Sequence, residues 1–441
     1  MKNKNNRITK LTALLLAVLL ALAGIAGCAF AEATEEERFH SWNPDVPALK
    51  ALTEYVEAVT DEASPDDILP TDSIAAFSAC AHEEFSLERA GIALHLDRVK
   101  MVGTEPDRNI LLIHGVTYSS HEFDINYEDY SLVRALAREG YAVWRLDIAG
   151  FGQSGEVEDG FLPDSDYAAE DIHAAVDRIC EVSGQEKIDV LGWSWGTVTA
   201  GRFAGSHPEH LNKLVLYAPI LSGIGAYEVT EPFHHNTWEH VVDDFQRTED
   251  GTFDYSITHP VIIELLASSS CHYDGETSPN GGRRDICVDE TQSLIDLKRI
   301  NVPTLVICGD SDPYLNYDRV NAVLDDLPEG SVLEVIEGAS HVAYLEKPYH
   351  RDFQDRLLRF LNGAEATATG RSSLETIRAR RFEGRYGWRL PADVLSRPRN
   401  QHLRRLRRST GGGPGRVTGR GDRVRGDLLA DADGGYAGRE V

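Results

Sequence analysis

The chain has 441 residues, with 44 Lys and Arg against 71 Asp and Glu and a formal net charge of −27. So acidic a balance argues against nucleic acid and anionic membrane surfaces as partners and favours solubility. The length is ample for one large domain whose core needs no disulfide staples, so the six cysteines need not form a framework.

Residues 1–31 read as an export signal outside the fold. Lys2, Lys4, Arg7 and Lys10 form a basic n-region, and residues 11–25 form an apolar run too short and wrongly flanked for a stable span. Ile25-Ala26-Gly27-Cys28 looks like a lipobox, which makes Cys28 the lipidated first residue of a lipoprotein held at a bacterial cell envelope. Cleavage after Ala29-Phe30-Ala31 is the alternative and gives a freely secreted protein. On the first reading, membrane contact comes only through the lipid at Cys28. Residues 32–87 form a polar, helix-leaning leader, with apolar residues at helical spacing over 47–59.

From 88 to 363 strand-like and helix-like segments alternate, which predicts an α/β domain with a doubly wound, mostly parallel sheet. Asn109 to Ile113 is an apolar strand ending in His114-Gly115-Val116. Lys187 to Leu191 is a short β-branched strand, followed by Gly192-Trp193-Ser194-Trp195-Gly196 and a helix-like run over 197–203. G-x-S-x-G between a strand and a helix is the nucleophile elbow, a sharp turn that presents the serine at a helix N-terminus. After a strand-like stretch over 213–217 come some 80 residues without clear alternation, far more than an ordinary crossover. The next strand begins near Thr304 and ends in Gly309-Asp310-Ser311-Asp312-Pro313, which offers two carboxylates. A further strand over 331–336 leads to His341 in a loop, and a last helix covers 349–361. Residues 364–441 carry 17 Arg, no Lys and 9 acidic groups, with a Gly-rich stretch over 411–421. That tail has no sustained period and is expected to be largely disordered.

Ser194, a carboxylate at 310 or 312 and His341 stand in the chain order that an elbow serine requires, each at a strand end. The chemistry needs all three: a serine hydroxyl is a weak nucleophile until an imidazole takes its proton, and a carboxylate must hold that imidazole in the right tautomer. On these ordered motifs, together with His114-Gly115 and Asp147-Ile148-Ala149-Gly150-Phe151-Gly152-Gln153-Ser154-Gly155, the stretch 88–362 resembles the α/β-hydrolase superfamily. The resemblance implies Asp312 as the acid, Val116 and Trp195 N–H groups as the oxyanion hole, and a helical lid over about 221–299, between strands six and seven. It leaves the substrate open.

The implied activity is a serine hydrolase acting on a small-molecule carboxylic ester, in lipase- or esterase-like fashion, through an acyl-enzyme and without metal or organic cofactor. His114, Gly115, Trp193 and Trp238 are the candidate substrate-binding residues. A proline-iminopeptidase-like peptidase is the alternative, since its elbow also reads Ser-Trp-Gly and the lid offers Glu228, Glu231, Glu239, Asp243 and Asp244. A surface lipoprotein that keeps the fold only for binding is the second alternative. His234-His235 lacks convincing metal-ligand spacing. Cys271 and Cys287 flank a Gly/Asn-rich loop, where an exported protein could carry a disulfide.

Overall fold

The computed structural model describes residues 80–363. The signal segment with Cys28, the leader up to residue 79 and the 364–441 tail lie outside the described residues. Strands β1 (Cys80–Arg89) and β2 (Ile92–Met101) form an antiparallel hairpin of ten residue pairs. Ala90 and Gly91 close it, both at positive φ (51° and 82°), as a two-residue turn matched to strand twist demands. Residues 80–87, expected in the leader, therefore belong to the sheet. Their period-2 pattern is diluted by charge because β1 is an edge strand, half-buried on one face and wet on the other.

The parallel part follows. Strands β3 (Arg108–Ile113), β4 (Tyr141–Leu146), β5 (Ile188–Trp193), β6 (Leu211–Tyr217), β9 (Thr304–Gly309) and β10 (Val332–Ile336) join the hairpin in one eight-stranded sheet. The order is β1-β2-β4-β3-β5-β6-β9-β10, antiparallel through β4 and parallel beyond it. Strands β5 and β9 are buried along their whole length, which is why they read as unbroken apolar runs rather than alternating ones.

Alternate side chains feed two cores. Leu111 and Ile113 point into one with α2 (Ser165–Ser183) and α3 (Trp195–Ser206), where Ile172, Val176 and Phe203 are fully buried. Ile110 and Leu112 point into the other with α1 (Leu132–Arg138) and α8 (Tyr349–Leu361), which contribute Leu136, Phe353 and Leu357. Each such side chain contributes about 1.5–3 kcal/mol, so helices on both faces anchor the sheet whose C-terminal edge carries the site. Helix α7 (Tyr317–Asp326) packs with the first core.

Between β6 and β9, the sixth and seventh strands of this sheet, the chain leaves the alternating pattern. It forms a two-stranded ribbon of β7 (Phe233–His235) and β8 (Thr277–Pro279), with α4 (Trp238–Val241), α5 (Pro260–Tyr273) and α6 (Gly281–Ile286). Helix α5 buries Ile262, Ile263 and Leu266 in the second core. Cys271 and Cys287 are free thiols that pack against different cores. The insertion thus carries no disulfide, because its two cysteines face opposite layers.

Candidate active site

Ser194 sits between β5 and α3 with φ 55° and ψ −123°, a conformation a side chain adopts only under compulsion. The flanking glycines explain how the turn closes. A Cβ on Gly192 would collide with the Gly196 carbonyl, and one on Gly196 with the carbonyls of Ile113 and His114. The serine is pinned by its own N–H, which donates to the Tyr217 carbonyl at 3.1 Å. Thr197 Oγ1 donates to the Ser194 carbonyl and in turn accepts the Ile220 N–H at 3.0 Å. The hydroxyl therefore stands at the first turn of α3, where unpaired N–H groups and the helix dipole favour negative charge.

His341 lies in the loop after β10 and Asp312 in the loop after β9, both 2 % exposed. His341 Nδ1 meets Asp312 Oδ2 at 2.8 Å, and Asp312 Oδ1 accepts the Tyr314 N–H at 2.9 Å. With Nδ1–H turned to the carboxylate, Nε2 keeps its lone pair free for a proton. Burial pulls the imidazole pKa down, but the charge of Asp312 and its hydrogen bond outweigh that, and the net position is above the ordinary value. The second sequence candidate, Asp310, is spoken for: its Oδ1 accepts the Gly338 N–H at 2.6 Å and so shapes the loop after β10.

Two aromatic side chains tie the histidine loop to the elbow. The His341 carbonyl accepts Trp193 Nε1–H at 3.1 Å and Tyr217 O–H at 3.0 Å. Tyr217 thus holds the serine through its carbonyl and the histidine through its hydroxyl. The Trp193 and His341 rings lie 5.1 Å apart, and Tyr314 stands edge-on to the imidazole at 4.7 Å. Tyr217 carried no motif in the sequence; its strand-end position beside the elbow is visible only once β6 pairs with β5.

The loop after β3 supplies the opposite wall. A Cβ on Gly115 would lie 2.8 Å from the Trp193 ring and 3.2 Å from Ser194 Cβ, so glycine alone lets this backbone come so close to the nucleophile. That proximity brings the Gly115-Val116 backbone to the serine. Behind it lies Glu122, a fully buried carboxyl whose Oε2 accepts Tyr344 O–H at 3.0 Å. Burial pushes the Glu122 pKa well above the ordinary range, so it is held neutral beneath the loop.

Several sequence expectations are corrected by these contacts. The His114 side chain is fully buried and points away from substrate: Nδ1 donates to the Gly115 carbonyl at 2.7 Å and Nε2 accepts the Ile148 N–H at 3.1 Å. Burial lowers its pKa, and a neutral ring suits that donor–acceptor pair. Trp193, 1 % exposed, stacks on Tyr118 at 5.6 Å and acts as a clamp instead of lining a pocket. Trp195 is buried in the other core, its Nε1–H donating to Ser165 Oγ at 2.9 Å. Trp238 contacts Phe253 and Glu264 inside the insertion. In the insertion His234 bonds not the adjacent His235 but His240, across β7 and α4, Nε2 to Nδ1 at 3.0 Å.

Asp244, one of the carboxylates noted in the sequence between strands six and seven, links the insertion to the site. Its Oδ2 accepts Tyr118 O–H at 2.7 Å and its Oδ1 accepts Tyr314 O–H at 3.3 Å. Among the described residues one cluster, Glu170, His173 and His207, has possible metal-ligand atoms within 4.8 Å of one another. It lies at the far end of α3 from Ser194, about 18 Å along a helix of that length, and is no part of this site.

A mostly parallel sheet, a serine strained between the fifth strand and its helix, and a His–Asp pair on later strand ends define an α/β-hydrolase. Residues 104–348 match the family model of serine aminopeptidase, S33, and the chain belongs to that family. A Synechocystis protein named "Putative non-heme chloroperoxidase" is 27% identical over 244 residues, which cover 53% of this chain and 84% of that one. The pimeloyl-[acyl-carrier protein] methyl ester esterase of Salmonella newport is 22% identical over 262 residues, covering 55% of this chain and 91% of its own. The solved structure of a bromoperoxidase from Bacillus anthracis covers 64% of this chain and 100% of its own, at 20% identity and a TM-score of 0.46.

Proposed function

We propose that this hydrolase cleaves carboxylic esters through a Ser194–His341–Asp312 triad. The observation that carries the reading is the 2.8 Å contact between His341 and Asp312, on a loop tied by Trp193 and Tyr217 to the strained serine. Ser194 Oγ attacks the carbonyl carbon while His341 Nε2 takes its proton, and Asp312 steadies the imidazolium that forms. The Val116 and Trp195 N–H groups receive the oxyanion; one such donor is worth roughly 3–4 kcal/mol of transition-state stabilisation. His341 then gives its proton to the departing alcohol, leaving an acyl-serine. A water that loses its proton to His341 attacks that acyl group and releases the acid. Two relatives support ester chemistry by name, the methyl ester esterases of Salmonella newport and Klebsiella pneumoniae.

A second reading, aminopeptidase action, is favoured by the family description and by Asp244, an insertion carboxylate beside Tyr314 that could receive a substrate amine. Turnover of 4-nitrophenyl esters against aminoacyl-naphthylamides separates the two. The ester reading expects Ser194-dependent ester cleavage with little naphthylamide cleavage; the reverse ratio overturns it. The insertion 221–299 acts in this account as the lid that sets substrate choice. For the exported form we propose a lipid at Cys28; labelled palmitate should enter the wild type and not Cys28→Ala.

A further inference from the structure

Arg283, in α6 of the insertion, is 7 % exposed, yet among the described residues it has no anion in contact. Its Nη1 donates to Ser278 Oγ at 3.3 Å, the Pro279 carbonyl at 3.4 Å and Asn280 Oδ1 at 3.2 Å, all neutral oxygens. Its Nη2 is buried with no hydrogen-bond partner among the described residues. A cation removed from water costs several kcal/mol unless it is paired, so this guanidinium is poised to gain from an anion.

Its surroundings are those of the catalytic face. The preceding Gly282 packs so closely on the Trp195 indole that a Cβ there would collide with the ring. Trp195 follows the nucleophile in the chain, with its indole in the core opposite Trp193. The guanidinium lies within electrostatic reach of Tyr118, Tyr314 and Asp244. Tyr118 stacks on Trp193 and Tyr314 faces the His341 ring. Asp244, whose oxygens accept the two tyrosine hydroxyls, makes no ion pair with the arginine. The other groups in reach are the Cys287 thiol, whose pKa burial pushes up, Tyr227, His234 and His240. Burial, with Arg283 beside them, pushes both imidazoles down, His240 to about 3, so they are neutral at working pH. Burial also lowers Arg283 itself, to about 10, which leaves it charged at neutral pH.

We infer that Arg283 is a substrate-binding residue and that the substrates of this hydrolase carry a carboxylate, which takes the open Nη2 edge of the guanidinium while Ser194 attacks the ester. The planar fork suits a carboxylate. The inference rests on the ester reading above and deepens it. A neutral ester leaves the cation unpaired in the closed site, whereas a carboxylate-bearing ester removes that cost.

The test measures kcat/KM on two matched pairs. Mono-4-nitrophenyl glutarate against 4-nitrophenyl pentanoate places the carboxylate on the acyl side. A second pair, 4-carboxyphenyl butyrate against 4-carbamoylphenyl butyrate, places it on the alcohol side. A charged hydrogen bond of the usual strength makes the wild type favour one charged member by about 30- to 100-fold. In Arg283→Met that ratio falls to within about threefold of unity, and Arg283→Lys recovers part of it. Thermal melting and fluorophosphonate labelling of Ser194 in each variant report that the fold and the nucleophile are intact. If the wild type labels and cleaves neutral esters but favours neither charged member, or if Arg283→Met leaves the ratio unmoved, this inference is overturned and the ester reading stands. If neither label nor ester turnover occurs in the wild type, the ester reading fails and takes this inference with it.

Discussion

Replacing Asp312 with Asn keeps the shape of the site and removes the charge that opposes burial at His341. The imidazole and the carboxylate meet at 2.8 Å and both are 2 % exposed. With charge centres about 4 Å apart and an effective dielectric near 20, their attraction is about 4 kcal/mol. The wild-type imidazole sits above its ordinary value because this attraction exceeds the effect of burial. In Asp312→Asn burial is opposed by Asp244 alone, and the value falls below that of the wild type. A protonated imidazole cannot accept the serine proton, so activity is lost as pH falls through this pKa. The acid limb of kcat/KM should therefore lie above pH 6.5 in the wild type and move to lower pH in the variant. The amide also allows the wrong tautomer, and the plateau rate should drop by about 10³–10⁴-fold. Ester hydrolysis between pH 4 and 9 reads both effects. A variant whose limb stays in place or moves to higher pH would refute the assignment of Asp312 as the partner that charges His341.

Glu122→Gln should fold as well as the wild type, because the native carboxyl is already neutral beneath the Gly115 loop. The folded protein keeps a proton that the unfolded chain releases above about pH 4.5, so this group makes stability fall as pH rises; the glutamine variant should lose that slope in thermal melts from pH 5 to 8. Glu122→Ala leaves a cavity and strips Tyr344 O–H of its acceptor, and should cost about 2–4 kcal/mol by denaturant titration. Gly196→Ala drives a methyl into the carbonyls of Ile113 and His114. It should cost about 1–3 kcal/mol in the same titration and disturb the turn that holds Ser194, so esterase activity should fall further than the fraction folded.

The elbow was readable because its geometry leaves almost no choice of residue: Gly192 and Gly196 are fixed by carbonyls, and the serine between them has no freedom to be elsewhere. The strands β3, β5 and β9 were readable because burial on both faces makes them plainly apolar. The edge strand β1 was not, since its wet face carries His82, Glu84 and Glu88 and blends into the polar leader. The motif around His114 marks the end of a strand but says nothing of where the ring turns, and the Ile148 N–H that claims it is 34 residues away. Trp193 and Trp195 look equivalent in sequence, yet the elbow sends them into opposite cores. The choice between Asp310 and Asp312 needed the Gly338 N–H, brought close only by pairing of β9 with β10. The insertion was least readable. Asp244 meets tyrosines at positions 118 and 314, and Arg283 acquires its meaning from what is missing beside it.

The central claim is that Ser194 is an activated nucleophile, and a fluorophosphonate probe tests it without knowledge of the substrate. Purified protein would be labelled, digested and mapped by peptide mass spectrometry beside Ser194→Ala and His341→Ala. The account predicts one phosphonylated peptide containing Ser194 in the wild type, no label in the serine variant, and labelling at least about 100-fold slower in the histidine variant. Label on another residue, or folded wild-type protein that does not react, would contradict it.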